Sequence, residues 1–141
     1  MINTFSKYVS IGFSHVIPLG FDHILFILCL FLLNTEWKAM IIQCSIFTLA
    51  HSISLALSAS NRISYDSLYI EPVITMTIFF SAIQNIVTAK MNKWRMVLVF
   101  LFGLIHGMGF ASALKQNDIP ENQFTSALVG FNVGVEIAQI T

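Results

Sequence analysis

Charged residues are scarce in this sequence: they make up 10% of its 141 residues, against 56% hydrophobic residues. A soluble domain usually carries about a quarter charged residues. The mean hydropathy is correspondingly high, at +0.78. Because so few polar side chains are available to cover a globule in water, the composition predicts an integral membrane protein.

Neither sign of charge is in excess, since seven Lys and Arg balance seven Asp and Glu. The basic residues are also scattered along the chain, so no basic face forms that would bind nucleic acid. Nucleic acid is therefore not expected as a partner. The expected surroundings are the lipid bilayer.

Cysteine is nearly absent as well. The two cysteines, Cys29 and Cys44, lie inside apolar runs and have no CxxC spacing. This excludes a disulfide framework and a zinc ribbon. Each cysteine is predicted to be a small buried side chain.

What the sequence does contain is long apolar runs with short polar gaps between them. The hydrocarbon of a bilayer is about 30 Å thick and needs roughly 20 apolar residues per helix. We predict an all-α fold, a polytopic transmembrane helical bundle that forms one transmembrane domain over residues 1–141. Its five predicted spans are Gly12–Leu33, Trp37–Ser58, Leu68–Ala89, Trp94–Leu114 and Asn122–Thr141.

Pro18 and Gly20 interrupt the first span and predict a broken or re-entrant helix at that point. Asp22 and His23 follow the break directly. A carboxylate at the centre of a membrane costs about 3 kcal/mol or more, so ionisable residues there mark a functional site by default. The pair is the first candidate for such a site.

Helical rise predicts which other polar residues reach the same level. At about 1.5 Å per residue, Asp22 lies about 17 Å, His51 about 21 Å and His106 about 18 Å from the same side of the membrane. Asn132 arrives near that level and Glu136 one turn away, whereas His15 is expected nearer the outer rim. We predict a metal site formed by Asp22, His23, His51 and His106, with Asn132, Glu136, Glu71 and His15 as outer or alternate ligands.

Two further features have a simpler structural interpretation. Glu71 precedes Pro72, and an acid followed by proline is typical of a helix start, with a role at the site as the alternative. Gly103 and Gly107 form a GxxxG pair, which allows a neighbouring helix to approach closely. That contact is predicted beside His106.

Imidazoles with a carboxylate suit nickel, cobalt or zinc, and the absence of nearby thiolates disfavours copper(I). Any single histidine is more simply explained by a hydrogen bond to the next helix. The prediction of a metal site therefore depends on several polar residues reaching the same depth.

Three functions stay open: a metal permease, a membrane-embedded metallohydrolase and a metal-binding assembly protein. A broken helix favours the permease, and the lack of an HExxH pair argues against the hydrolase.

Four stretches resemble the HupE/UreJ membrane proteins, the accessory family associated with hydrogenase and urease maturation. They occur in the family's order: GFDHILFILCLFLL (Gly20 to Leu33), FTLAHSISLAL (Phe47 to Leu57), FGLIHGMGFASAL (Phe102 to Leu114) and GFNVGVEIAQI (Gly130 to Ile140). By motif, the family's polar positions fall on Asp22, His23, His51, His106, Asn132 and Glu136.

The resemblance implies a multi-pass protein of the bacterial inner membrane that moves nickel, or alternatively zinc or cobalt, for metalloenzyme assembly. The implied partners are the metal ion and the bilayer. Whether the protein forms a homo-oligomer stays an open question. Family members generally have a further hydrophobic helix after the last motif, which this sequence lacks. A complete member would then have six spans.

The orientation follows from basic residues in the gaps. Lys38, Lys90, Lys93 and Arg95 are predicted to be cytoplasmic, with the N-terminus outside. A cysteine introduced at Asn92 should then be shielded from a membrane-impermeant thiol reagent in intact cells, and one at Asn61 should be labelled. The reverse pattern would exchange inside for outside.

Overall fold

The computed structural model describes residues 2–33, 36–63, 66–87, 93–115 and 121–141. It contains no strand in this part of the chain, so the predicted all-α helical bundle is confirmed. A turn of 3-10 helix at Glu121–Gln123 precedes the last helix. The helices are α1 (Ile2–Val16), α2 (Phe21–Leu33), α3 (Trp37–Ala59), α4 (Ser67–Val87), α5 (Lys93–Lys115) and α6 (Phe124–Ile140).

Within the described residues, three helices are long and apolar enough to cross a membrane: α3, Leu68–Val87 of α4, and Lys93–Phe110 of α5. Helices α1 and α2 pass the same test together as a pair bent by 70°, which gives up to four spans. Helix α6 is apolar but has only 17 residues. The helices thus follow the predicted segments, and the number of five crossings stays a prediction. Parts of the predicted gaps, at 34–35, 64–65, 88–92 and 116–120, lie outside the described residues.

The bend between α1 and α2 is the broken helix that Pro18 and Gly20 predicted. Proline has no backbone N–H and cannot continue α1, and Gly20 begins α2 by accepting the Ile24 N–H at 3.0 Å. A Cβ at Gly20 would lie 2.3 Å from the His15 carbonyl oxygen. Only glycine therefore allows α2 to start this close to the end of α1.

Helices α3 and α5 touch backbone to backbone at two glycines. A Cβ at Gly103 would lie 2.5 Å from the Phe47 carbonyl oxygen. One turn further along both helices, a Cβ at Gly107 would lie 2.2 Å from the His51 carbonyl oxygen and from the Ser54 hydroxyl. The two helices therefore run side by side in the same direction, in the kind of contact that GxxxG pairs form.

A second pair of helices, α1 and α6, packs through glycines that the sequence analysis did not identify. A Cβ would meet a carbonyl oxygen of the partner helix at each of three positions: at 2.0 Å for Gly12, 2.6 Å for Gly130 and 2.1 Å for Gly134. Gly130 and Gly134 are themselves a GxxxG pair. Fully buried Val16 and Phe131 lie in the core beside this contact.

Arg95 was counted with the polar gap before the fourth span, and the structure places it inside α5, only 3% exposed. Its Nε donates to Gln43 Oε1 of α3 at 3.1 Å, and its Nη1 donates to Gln84 Oε1 of α4 at 3.3 Å. The guanidinium group thus links three helices near one end of the bundle.

Replacing Gly107 with alanine should destabilise the protein. Alanine normally favours a helix interior by about 1 kcal/mol over glycine, but here the added methyl group overpacks a backbone contact, which typically costs about 1–3 kcal/mol. We expect a lower apparent Tm for Gly107→Ala by tryptophan fluorescence in detergent.

Gly109→Ala is the matched control two residues away. A Cβ at Gly109 meets the tip of the flexible Ile74 side chain at 2.7 Å, which can rotate aside. Equal Tm values for the two variants would show that α3 and α5 do not need the close contact.

Candidate metal centre

Three imidazoles meet where α1, α2 and α3 converge. His15 comes from the last turn of α1, His23 from the first turn of α2 and His51 from the middle of α3. One ring nitrogen of each lies within 4.8 Å of the others. The ring centroids are separated by 4.8 Å for His15 and His23, 5.7 Å for His23 and His51, and 6.3 Å for His15 and His51.

A fourth imidazole, His106 of α5, lies 5.4 Å from His23 between ring centroids. Its Nδ1 is 2.7 Å from the Phe102 carbonyl oxygen. Because a carbonyl only accepts, this bond places the proton on Nδ1 and leaves the lone pair on Nε2. Backbone hydrogen bonds of this kind orient many metal-binding histidines.

The ring nitrogens at this point are unusual because they are buried without hydrogen-bond partners. Among the described residues, this holds for His15 Nε2, His106 Nε2 and both ring nitrogens of His23 and His51. An unsatisfied buried polar group costs about 1–3 kcal/mol. A bound cation would accept one lone pair from each ring and so satisfy one nitrogen of each histidine, because a neutral imidazole carries a single lone pair and one N–H.

Asp22 adds a negative charge to the cluster. Its Oδ1 lies 3.3 Å from His23 Nδ1, close enough for an ion pair although not aligned for a hydrogen bond. The Asp22 side chain is 36% exposed, whereas that of His23 is 2% exposed. The carboxylate therefore lies on the accessible side of the cluster.

A cavity of about 310 Å³ opens on that side. Its wall contains two carboxylates, those of Asp22 and Glu71, together with three of the four imidazoles. The prediction that Glu71 and Pro72 start a helix is wrong: α4 begins at Ser67, where Asp66 Oδ1 accepts the Leu68 N–H at 3.0 Å, and Pro72 lies inside the helix. Glu71 instead lines the cavity. The lining residues are His15, Asp22, His23, Glu71, Ile74, Thr75, His106, Gly109 and Phe110.

Asn132 and Glu136 of α6, both predicted as outer or alternate ligands, lie in different surroundings. Glu136 accepts a hydrogen bond from the Ser45 hydroxyl of α3 at 2.6 Å. With Asn132 it lines a separate groove between α3 and α6. Asn132 donates to the Leu128 carbonyl oxygen at 2.8 Å and lies beside His51. The structure thus brings Asn132 to the edge of the histidine cluster, while Glu136 lies outside it.

The expected position of His15 near the outer rim, away from the other histidines, is wrong. Its ring contacts that of His23, with centroids 4.8 Å apart. The expected depth of His15 was calculated from a constant rise per residue along the first span. That calculation fails because the chain bends by 70° between α1 and α2. The bend places the end of α1 against the start of α2.

Sequence reasoning also missed the aromatic residues around the imidazoles. Phe47 lies 5.7 Å, 6.2 Å and 5.1 Å from the rings of His23, His51 and His106. On the other side, Phe110 lies 3.9 Å from His15. A signal was present, because Phe47 precedes His51 by four residues, and residues at that spacing share a helix face.

Apolar helices long enough to cross a membrane, with histidines beside a cavity that contains two carboxylates, define a helical membrane protein with an internal histidine cluster that could hold a metal ion. The chain matches the family described as HupE / UreJ protein over residues 1–141, and it belongs to that family. No curated protein and no solved structure matches it. Membership implies an accessory role in the handling of a transition metal such as nickel or cobalt.

Because His15 joins the cluster, His15→Ala should weaken metal binding about as much as His23→Ala or His51→Ala does. We expect each to lower cobalt(II) affinity by at least about tenfold, since even partners that only orient a ligand contribute that much. Optical titration of the detergent-purified protein with cobalt(II) measures it.

Ser45→Ala is the control, because this hydroxyl contacts Glu136 and not a histidine. Its affinity should equal that of the unmodified protein. If His15→Ala also binds cobalt(II) unchanged, His15 is a packing residue.

Proposed function

We propose that this protein transports a divalent transition-metal ion across the membrane for metalloenzyme maturation. Nickel is the first candidate, with cobalt and zinc as alternatives. The observation that carries the proposal is the set of His15, His23 and His51 nitrogens within 4.8 Å of one another, beside a cavity with carboxylates in its wall.

The proposed ligands are His23, His51, His106 and Asp22, joined by His15. Neutral imidazole nitrogens combined with carboxylate oxygens are the donors that nickel, cobalt and zinc share. Asp22 acts either as a ligand or by orienting the His23 ring, as carboxylates beside metal-binding histidines do. Asn132 beside His51 and Glu71 in the cavity wall are outer or alternate ligands. Glu136, which pairs with Ser45 outside the cluster, is not expected to bind the ion.

Transport is favoured over permanent binding by the surroundings of the cluster. The cavity gives an ion access from one end of the bundle, and Asp22 and Glu71 would attract a hydrated cation into it. The site also adjoins the break between α1 and α2, and interrupted helices beside an ion site are typical of secondary transporters. Such a break supplies a place where the helix pair can rearrange.

Three imidazoles beside a cavity would also suit a catalytic zinc ion, whose usual set is three protein ligands and one open position. Glu71 in the same cavity is then the candidate general base of a hydrolase. A hydrolase keeps its metal through many turnovers, whereas a transporter releases it on the other side. A metal-binding assembly protein neither carries the ion across nor cleaves a substrate. Flux therefore distinguishes transport from the other two functions, and substrate cleavage distinguishes the hydrolase from the assembly protein.

Nickel flux should be measurable in proteoliposomes that enclose a metal-sensitive fluorescent dye. We expect saturable entry above that of empty liposomes, loss of most of it in His51→Ala, and retention in Ser45→Ala. Magnesium should not be carried, because it prefers oxygen ligands and an octahedral water shell. Entry should slow as the pH falls through the histidine range, because protonated imidazole cannot bind a metal.

Nickel binding without flux above the level of empty liposomes would contradict transport. The protein would then be a binding or assembly protein, or a hydrolase if the metal-loaded form cleaves a substrate.

A further inference from the structure

Helices α2, α3, α4 and α5 enclose an interior whose two ends differ, and the histidine cluster lies between these ends. The cavity is lined by the start of α2, the start of α4 and the end of α5, through Asp22, Glu71 and Gly109. At the opposite end, Asn85 late in α4 donates to the carbonyl oxygen of Cys29 late in α2. There too, Arg95 early in α5 donates to Gln43 early in α3. An axis through the four helices therefore runs from the cavity, past the histidines, to the Gln43–Arg95 end.

Three phenylalanine rings, which we call the phenylalanine layer, cover the histidines on the side of that opposite end. Phe47 lies 5.1 Å from the His106 ring, and Phe26 lies 5.7 Å from it. The rings of Phe26 and Phe47 are 4.8 Å apart, and those of Phe26 and Phe102 are 6.3 Å apart. Phe26 and Phe47 are 1% exposed and Phe102 is 9% exposed, so the three rings are packed inside the bundle with little surface open to solvent.

Apolar side chains continue beyond the layer for a short distance. The buried cluster that contains the three rings also contains Leu30, Met40, Cys44, Leu98 and Val99. Polar groups then resume with Gln43, which is fully buried and accepts from Arg95 Nε at 3.1 Å. Gln43 precedes His51 by eight residues, which is about 12 Å along a helix. A thin apolar barrier thus separates two buried polar regions of one bundle.

We propose that the phenylalanine layer is the closed gate of the metal path, and that the ion leaves the histidines past Phe47 toward the Gln43–Arg95 end. This inference rests on the proposed transport function. A hydrophobic constriction blocks an ion because it excludes the water that the ion needs, and it opens when side chains move and water enters. A site that is open at one end and closed at the other is one state of an alternating-access transporter.

Cys44 is a native reporter for the gate. It is 1% exposed and packs with the phenylalanine layer, on the side of the layer that faces Gln43. In a Cys29→Ala background it is the only thiol of the chain. Its rate of reaction with a small, positively charged methanethiosulfonate reagent in detergent therefore reports whether water and cations reach the space behind the layer.

We expect slow labelling of Cys44 behind an intact layer and labelling at least tenfold faster in Phe47→Ala and Phe26→Ala. Phe47→Leu, which removes less volume, should give an intermediate rate and covers the case in which an alanine variant does not fold. Phe79→Ala is the matched control, because Phe79 is 64% exposed on α4 and its loss should leave the rate unchanged.

Nickel protection tests whether the route passes through the histidines. Bound nickel should slow labelling of Cys44 in the layer variants, and adding His51→Ala should remove that protection, which excludes direct binding of nickel to the thiol. Folded layer variants that label at the rate of the intact layer, or faster labelling that nickel does not slow, would overturn the gate. If nickel slows the labelling of Cys44 but the wild-type protein shows no nickel flux in proteoliposomes, the transport proposal is overturned. The layer would then be only a barrier behind the metal site.

Discussion

The close approach of α3 and α5 is the constraint on which the rest of the site depends. His51 and His106 belong to these two helices, and Gly107 follows His106 directly and faces the His51 carbonyl oxygen, where a Cβ would lie 2.2 Å away. Any larger side chain would move the helices apart and separate the two imidazoles. The pair of glycines therefore sets the separation of these two histidines as well as the packing of the bundle.

The remaining histidines are placed by the bend between α1 and α2. A continuous helix would put His15 and His23 eight residues and about 12 Å apart along its axis, too far to bind one ion together. The interruption at Pro18 and Gly20 folds the end of α1 against the start of α2, and the two rings come to 4.8 Å. The break at Pro18 and Gly20 thus positions two of the four imidazoles.

Much of this arrangement was predictable because helical rise is regular. His51 and His106 lie on uninterrupted helices, and their common depth with Asp22 was predicted by counting residues. The position of His15 could not be counted through a bend, since the angle depends on tertiary packing. The direction of Glu136 toward Ser45 instead of the cluster depends on how α6 is rotated against α3, and the burial of Arg95 depends on two glutamines from other helices. Neither relation leaves a periodic pattern in one sequence.

The distribution of charge along the four-helix interior explains why an ion would rest at the histidines. Imidazoles are neutral ligands, so a dication bound by them alone would carry its full charge into an apolar bundle, which is costly. Asp22 at 3.3 Å from His23 and Glu71 in the cavity wall compensate that charge from the open side only. A step past Phe47 would take the ion away from both carboxylates and toward the Arg95 guanidinium group, so its own electrostatic attraction opposes release. In the proposed transport cycle, release has to be driven by movement of the helices or by protons that displace the ion from the histidines.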